Sequence, residues 1–169
     1  AAVQAMTGIM SVNGEAGGDP LRVGLPVVDL VTGLNAALGV LLALQERARS
    51  GEGQEIDVAL YESVFAMMES LIPEYDAFGY VREPAGSALP GITPSNSYPC
   101  NDGSYVLIAG NGDSIYKRLM SLIGRDDLGN DPRLAQNDGR SQHAELIDGV
   151  IAEWSAQRSR DEVIEALKG

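Results

Sequence analysis

Residues 1–169 read as a mixed α/β protein built in two parts, and three observations carry that reading. An almost wholly apolar helical run, Leu30–Arg49, is followed by a stretch of period-two alternation, Gln54–Leu60. A segment rich in proline and glycine, 82–101, then interrupts all periodicity. Beyond it the chain restarts, with Asp102-Gly103 as a turn and a strand-like Ser104–Ala109 leading into three helical stretches.

Taken in order, residues 1–12 form a small apolar segment and Asn13–Pro20 an exposed, turn-rich loop. Leu21–Val28 is short, apolar and punctuated by Gly24 and Pro26. From Leu30 the apolar residues nearly encircle the helix, which predicts burial over most of its length. Its last turn carries Glu46, Arg47 and Arg49, cations suited to a helix C-terminus, and Gly51 is the expected stop. In Gln54–Leu60, Ile56, Val58 and Leu60 alternate with Glu55, Asp57 and Ala59, the pattern of a strand. Tyr61–Ile72 reads as a second helix limited by Pro73. The connection over 82–101 marks a boundary, dividing the chain into 1–83, a linker at 84–101, and 102–169. In the last part, Asp113–Ile123 is a helix capped by Asp113 or Ser114 and ended by Gly124. Asp126–Arg133 is a loop. Ser141–Ala156 and Arg160–Leu167 are amphipathic helices, the latter opened by Ser159 and Glu162 at capping-box spacing.

The composition is that of a globular protein, 44% hydrophobic and 21% charged, with a net charge of -12. So acidic a chain repels phosphate backbones and anionic lipid, which argues against nucleic-acid and membrane-surface partners. The longest apolar stretch is interrupted by Thr32, Gly33, Asn35 and Gly39 and is expected to be too short to span a bilayer. Cys100 is the single cysteine, so no internal disulfide and no multi-cysteine metal site is possible, in keeping with a cytoplasmic setting. No metal ligand set is read. Both ends look cut from a longer protein.

Asp29 is the residue where chemistry could sit. It lies between an extended apolar segment and the apolar helix, at the expected N-cap position. One reading makes it a cap for the first-turn amides. The other makes it a carboxylate held ionised among apolar residues by those amides, able to act as a nucleophile. A cap can also be a nucleophile, so the two are compatible. Between Arg22 and Glu46 nothing else is charged, and Gly33 leaves room for close approach one turn along. His143 reads as a surface residue and Cys100 as an inert thiol. Gly110-Asn111-Gly112 reads as a tight turn that lacks the third glycine of a dinucleotide motif.

Several segments together resemble the class III CoA-transferases, the formyl-CoA and carnitine CoA-transferase type. They are Gln4–Gly8, Ser11–Gly14, Pro20–Gly24, Val28–Gly33 and, most strongly, Ala43–Leu60. Pro94, Tyr98, Asp102–Val106 and Asn130–Arg140 resemble the family's small domain. The resemblance implies part of a Rossmann-like large domain plus a smaller α+β domain, in an interlocked homodimer. It implies that Asp29 is the acyl-accepting nucleophile, with Gln4, Gly33, Gly86 and Gly91 contributing to substrate binding. Acyl-CoA and a carboxylic acid are the implied substrates; coenzyme A enters and leaves as part of them, and no cofactor is bound tightly. The family's N-terminal CoA-binding segment and its C-terminal return segment are expected to lie outside these residues, and the piece alone is expected to be inactive. A related racemase, in which the matching aspartate works with a histidine, is the nearest alternative; Gln4-Ala5 resembles the transferase branch more. A non-catalytic module in which Asp29 is only a cap is the other.

Overall fold

A computed structural model describes residues 1–168, and the chain divides into two compact units at Gly86 and Ser87. The boundary falls inside the long connection.

The first unit is helical. Helix α1 (Ala2–Met6) and a 3₁₀ turn at Ile9–Val12 precede a loop that leads into α2 (Val27–Ser50). Helix α2 begins earlier than the apolar periodicity suggests because Pro26, with φ -75°, sets the backbone for entry. It ends as expected at Gly51, whose φ of 80° only glycine adopts freely and whose N–H donates to the Arg47 carbonyl at 2.8 Å. Thr32 and the glycines do not interrupt it; the Thr32 hydroxyl donates to the Val28 carbonyl at 2.7 Å. Its 24 residues extend about 36 Å, and by length and composition alone that is enough to cross a bilayer. This corrects the expectation that the run is too short.

The burial expected of α2 is not met in this chain. Only Val28 is buried, while Leu34 is 67% and Leu42 66% exposed. A helix apolar all round needs neighbours on several sides, and here one side is met by the segment that follows it. Ile56 packs so closely on Gly39 that a Cβ there would lie 2.9 Å from its Cγ2. Gln54–Ala59 forms no strand, which corrects the alternation reading: strands need a ladder partner, and among the described residues none lies beside it.

The predicted helix Tyr61–Ile72 is two: α3 (Leu60–Phe65), prolonged by a 3₁₀ turn at Ala66–Met68, and α4 (Leu71–Phe78). The break falls at Glu69, with φ 48°. Pro73 opens α4 rather than ending its predecessor, since a first-turn residue has no intrahelical use for an N–H.

The second unit is α+β. Strands β1 (Ser95–Pro99) and β2 (Tyr105–Ala109) pair antiparallel, from Ser95 opposite Ala109 to Pro99 opposite Tyr105. Strand β1 lies within the stretch expected to be irregular. Its residues carry no apolar alternation, and pairing with β2 supplies the order. Helices α5 (Asp113–Leu122), α6 (Asp126–Gly129), α7 (Asn137–Gln142), α8 (Ala144–Ser155) and α9 (Arg160–Leu167) follow. Gly112, not Asp113 or Ser114, occupies the N-cap of α5. The expected loop at 126–133 contains α6 and runs into a 3₁₀ turn at Pro132–Leu134. The expected helix Ser141–Ala156 is divided at His143. The capping box of α9 forms as read: Glu162 accepts from the Ser159 N–H at 2.7 Å, and the Ser159 hydroxyl accepts from the Glu162 N–H at 3.3 Å.

Val106 and Ile108 turn one face of β2 onto α5, α8 and α9, where Tyr116, Met120, Ile147, Ile151 and Val163 complete the core. Within it lies a fully buried cation. The Arg140 guanidinium donates to the carbonyls of Asn111 (2.6 Å), Thr93, Leu134 and Ala135 (each 3.1 Å) and to the Asp113 carboxylate (2.8 Å), and sits 4.9 Å from the centre of the Tyr116 ring.

Candidate active site

The N-terminus of α2 shapes the candidate site. Asp29 is the third helical residue, not the N-cap, which is Pro26; this corrects the cap reading. Proline offers no side-chain acceptor, and no side-chain cap bond closes this helix end. The Val27 N–H is taken by the Leu25 carbonyl at 2.8 Å, and the Leu30 N–H reaches the Pro26 carbonyl at 3.1 Å. The amides of Val28 and Asp29 precede that bond and point out of the helix end, where the dipole favours an anion. Asp29 itself is exposed, with Leu30 and Leu34 beside it on the same helix also open to solvent. The desolvation expected of the carboxylate is therefore absent within this chain, because nothing among the described residues covers that side.

Asp29 lines a cleft of about 360 Å³ together with Gln4, Arg22, Val23, Pro26 and Leu60. Gln4, 5% exposed, builds its wall: the carboxamide oxygen accepts from the Val23 N–H at 3.0 Å and its NH2 group donates to the Val23 carbonyl at 3.4 Å. The structure thus brings Gln4 and Asp29 into one cleft. Gly33 lies a turn further along α2, with open space where a Cβ would stand. Gly86 and Gly91 are not in the cleft lining. Gly86 turns at φ 63° and donates to the Gly14 carbonyl at 2.9 Å, whereas Gly91 belongs to the second unit and turns at φ 81°. Arg22 is the residue that sequence reasoning passed over. It stood in view in Pro20–Gly24, but only the fold sets it in the same cleft as Asp29.

The other candidates play structural parts. Cys100 is a buried free thiol. The Nδ1 of His143 lies 2.8 Å from the Gly139 carbonyl, at the junction of α7 and α8. Gly110–Gly112 is the turn between β2 and α5, where a Cβ on Gly110 would meet Leu119 at 2.8 Å. A second cleft, about 530 Å³, lies in the second unit against Leu107, Ile115, Leu119 and Leu122 with Arg118 at its side; among the described residues no side-chain carboxylate lines it. Among the described residues no three His, Cys, Asp or Glu side chains gather as a metal-ligand group.

Among solved structures, the chain is similar to a CAIB/BAIF family protein from Brucella suis, with a TM-score of 0.78 and 32% identity over 98% of this chain and 44% of that one. The model of CoA-transferase family III matches residues 1–169, and the chain belongs to that family. It is 42% identical over 160 residues to the succinyl-CoA–D-citramalate CoA-transferase of Chloroflexus aurantiacus, covering 95% of this chain and 40% of that protein. It is 32% identical over 166 residues to the succinate–glutarate CoA-transferase of Agrobacterium fabrum, covering 98% of this chain and 41% of that protein. The chain thus spans about 40% of the length of these relatives.

Proposed function

We propose that the protein carrying this chain is a CoA-transferase that moves CoA from an acyl-CoA to a carboxylic acid, with Asp29 as the nucleophile. The observation that carries the reading is the place of Asp29: a carboxylate in the first turn of α2, in a cleft, within a chain that matches the family from end to end. The similar succinyl-CoA–D-citramalate CoA-transferase from Chloroflexus points to succinyl-CoA as a donor and a dicarboxylate as an acceptor, and the succinate–glutarate CoA-transferase from Agrobacterium points likewise to dicarboxylates.

In the proposed sequence the Asp29 carboxylate attacks the thioester carbonyl and expels CoA thiolate, leaving an acyl–aspartate anhydride. The thiolate attacks the aspartyl carbonyl, forming an aspartyl-CoA thioester and freeing the donor acid. The acceptor carboxylate attacks that thioester, giving a second anhydride and thiolate. Attack of the thiolate on the acceptor's acyl carbonyl forms the new acyl-CoA and returns the Asp29 carboxylate. First-turn amides of α2 offer donors to the developing oxyanions. Arg22 supplies positive charge for an acidic substrate, and Gln4 holds the wall on which Arg22 and Val23 stand. Gly33 leaves space for the thioester, and the segment 86–91, bracketed by glycines, contributes to substrate binding. The exposed apolar surface of α2 favours burial of that helix within protein, in the interlocked homodimer of this reading; a cytoplasmic location is part of the same proposal.

The test uses the whole protein. It is incubated with succinyl-CoA, quenched with hydroxylamine, digested and analysed by mass spectrometry. A hydroxamate on Asp29 is the expected result. An unmodified Asp29 with solvent deuterium entering the substrate α-carbon would replace transfer by racemase chemistry.

A further inference from the structure

Residues 87–94 form a loop whose base is fastened on two sides. Toward β1, the Ser87 hydroxyl donates to Asn96 Oδ1 at 2.6 Å, and the Leu89 N–H donates to the Ser95 carbonyl at 3.1 Å. Toward α7, the Asn137 NH2 group donates to the Gly91 carbonyl at 2.7 Å, while its Oδ1 accepts from the Thr93 N–H at 3.1 Å. These partners allow one orientation of the amide, since a carbonyl must face the NH2 group and an N–H must face the oxygen. Leu89, Pro90 and Gly91 at the tip are exposed, whereas Thr93 and Pro94 at the base are buried. Beneath them Arg140 holds the Thr93 carbonyl at 3.1 Å as one of its five acceptors. Asn137 is different in kind: half-buried at the start of α7, it spans the point where exposed tip meets buried base.

We propose that Asn137 is a positioning residue, a latch that holds the 86–91 segment at its Gly91 end to the start of α7. This rests on the reading of that segment as part of the substrate site. A loop held at its base arrives ordered and loses less freedom when substrate binds; an unlatched loop must be ordered by the substrate itself. Loosening the latch therefore weakens substrate binding while leaving the chemistry at the carboxylate alone.

The experiment compares the whole wild-type protein with Asn137→Ala and Asn137→Asp, reading amide hydrogen exchange and steady-state kinetics with succinyl-CoA. Asn137→Ala is expected to speed exchange at Thr93 by about five- to tenfold, to raise KM by a similar factor and to leave kcat within about twofold. Asn137→Asp keeps the acceptor for Thr93 but turns a carboxylate oxygen toward the Gly91 carbonyl. Thr93 protection should then persist while KM still rises. Unchanged Thr93 exchange in Asn137→Ala would overturn the latch. Faster exchange with an unmoved KM would overturn its positioning role, as would a wild-type KM in Asn137→Asp. Absence of transfer by the wild-type protein is a failure of the functional reading, and it is seen before either variant is measured.

Discussion

The side-chain amide of Gln4 meets both polar groups of the Val23 backbone, accepting from the N–H at 3.0 Å and donating to the carbonyl at 3.4 Å. One side chain thereby fixes a stretch of irregular chain, 22–26, against α1, and with it the wall that faces Asp29. Gln4→Glu removes the donor and brings a charge into a position 5% exposed. It is expected to destabilise the protein by about 1–3 kcal/mol, measured by urea denaturation.

Asp29→Asn tests the nucleophile apart from the fold. Transfer should fall by about 10⁴-fold or more, the scale seen when a covalent nucleophile is removed. An exposed first-turn carboxylate adds only about 0.3–1 kcal/mol through the helix dipole, so the thermal midpoint should move little. Steady-state assay and calorimetry on one preparation separate the two effects.

Arg140 is the reverse case, a residue whose bonds all go to the fold around it. Arg140→Met leaves four carbonyls without their shared donor in the core of the second unit. A loss of about 3–5 kcal/mol is expected, read from denaturant unfolding.

Ser141 carries the opposite sign. Among the described residues its hydroxyl is buried without a hydrogen-bond partner, and alanine both removes that group and suits a helix better. Ser141→Ala is expected to stabilise by about 0.5–1 kcal/mol, seen as a raised thermal midpoint.

The pH dependence expected of Asp102 is specific in sign. The Ser104 hydroxyl first, then the Arg160 and Ser104 amides, hold its carboxyl down at about 2, against an ordinary 3.8. A depressed folded-state pKa contributes stability above the unfolded value and loses it as pH falls through the folded one. Asp102→Asn should therefore flatten the stability profile between about pH 4 and 2 and leave its shape near neutrality unchanged, measured by thermal melts across that range.

Local signals in the sequence were enough for the elements whose order is local. Gly51 ends α2 because only glycine takes its left-handed backbone freely, and Ser159 with Glu162 opens α9 through bonds made within one turn. Strand β2 was legible as a short run of apolar residues after the Asp102-Gly103 turn, although only its burial alternates, with Tyr105 and Leu107 open on one face and Val106 and Ile108 buried on the other. Strand β1 was not legible, since Ser95–Pro99 gains its order from a ladder with residues about ten positions away. The mirror error is Gln54–Ala59, which alternates as a strand does but has no partner beside it.

By itself, the sequence determined the family and the aspartate that stands at the start of an apolar helix, because both reside in residue identities at short spacing. Only the tertiary structure decided that Gln4 and Arg22 share the cleft of Asp29, and that Asn137 reaches back to Gly91 and Thr93. These relationships depend on chain segments many residues apart being brought within hydrogen-bond or cleft distance. Spacing along a chain carries no record of that; packing does.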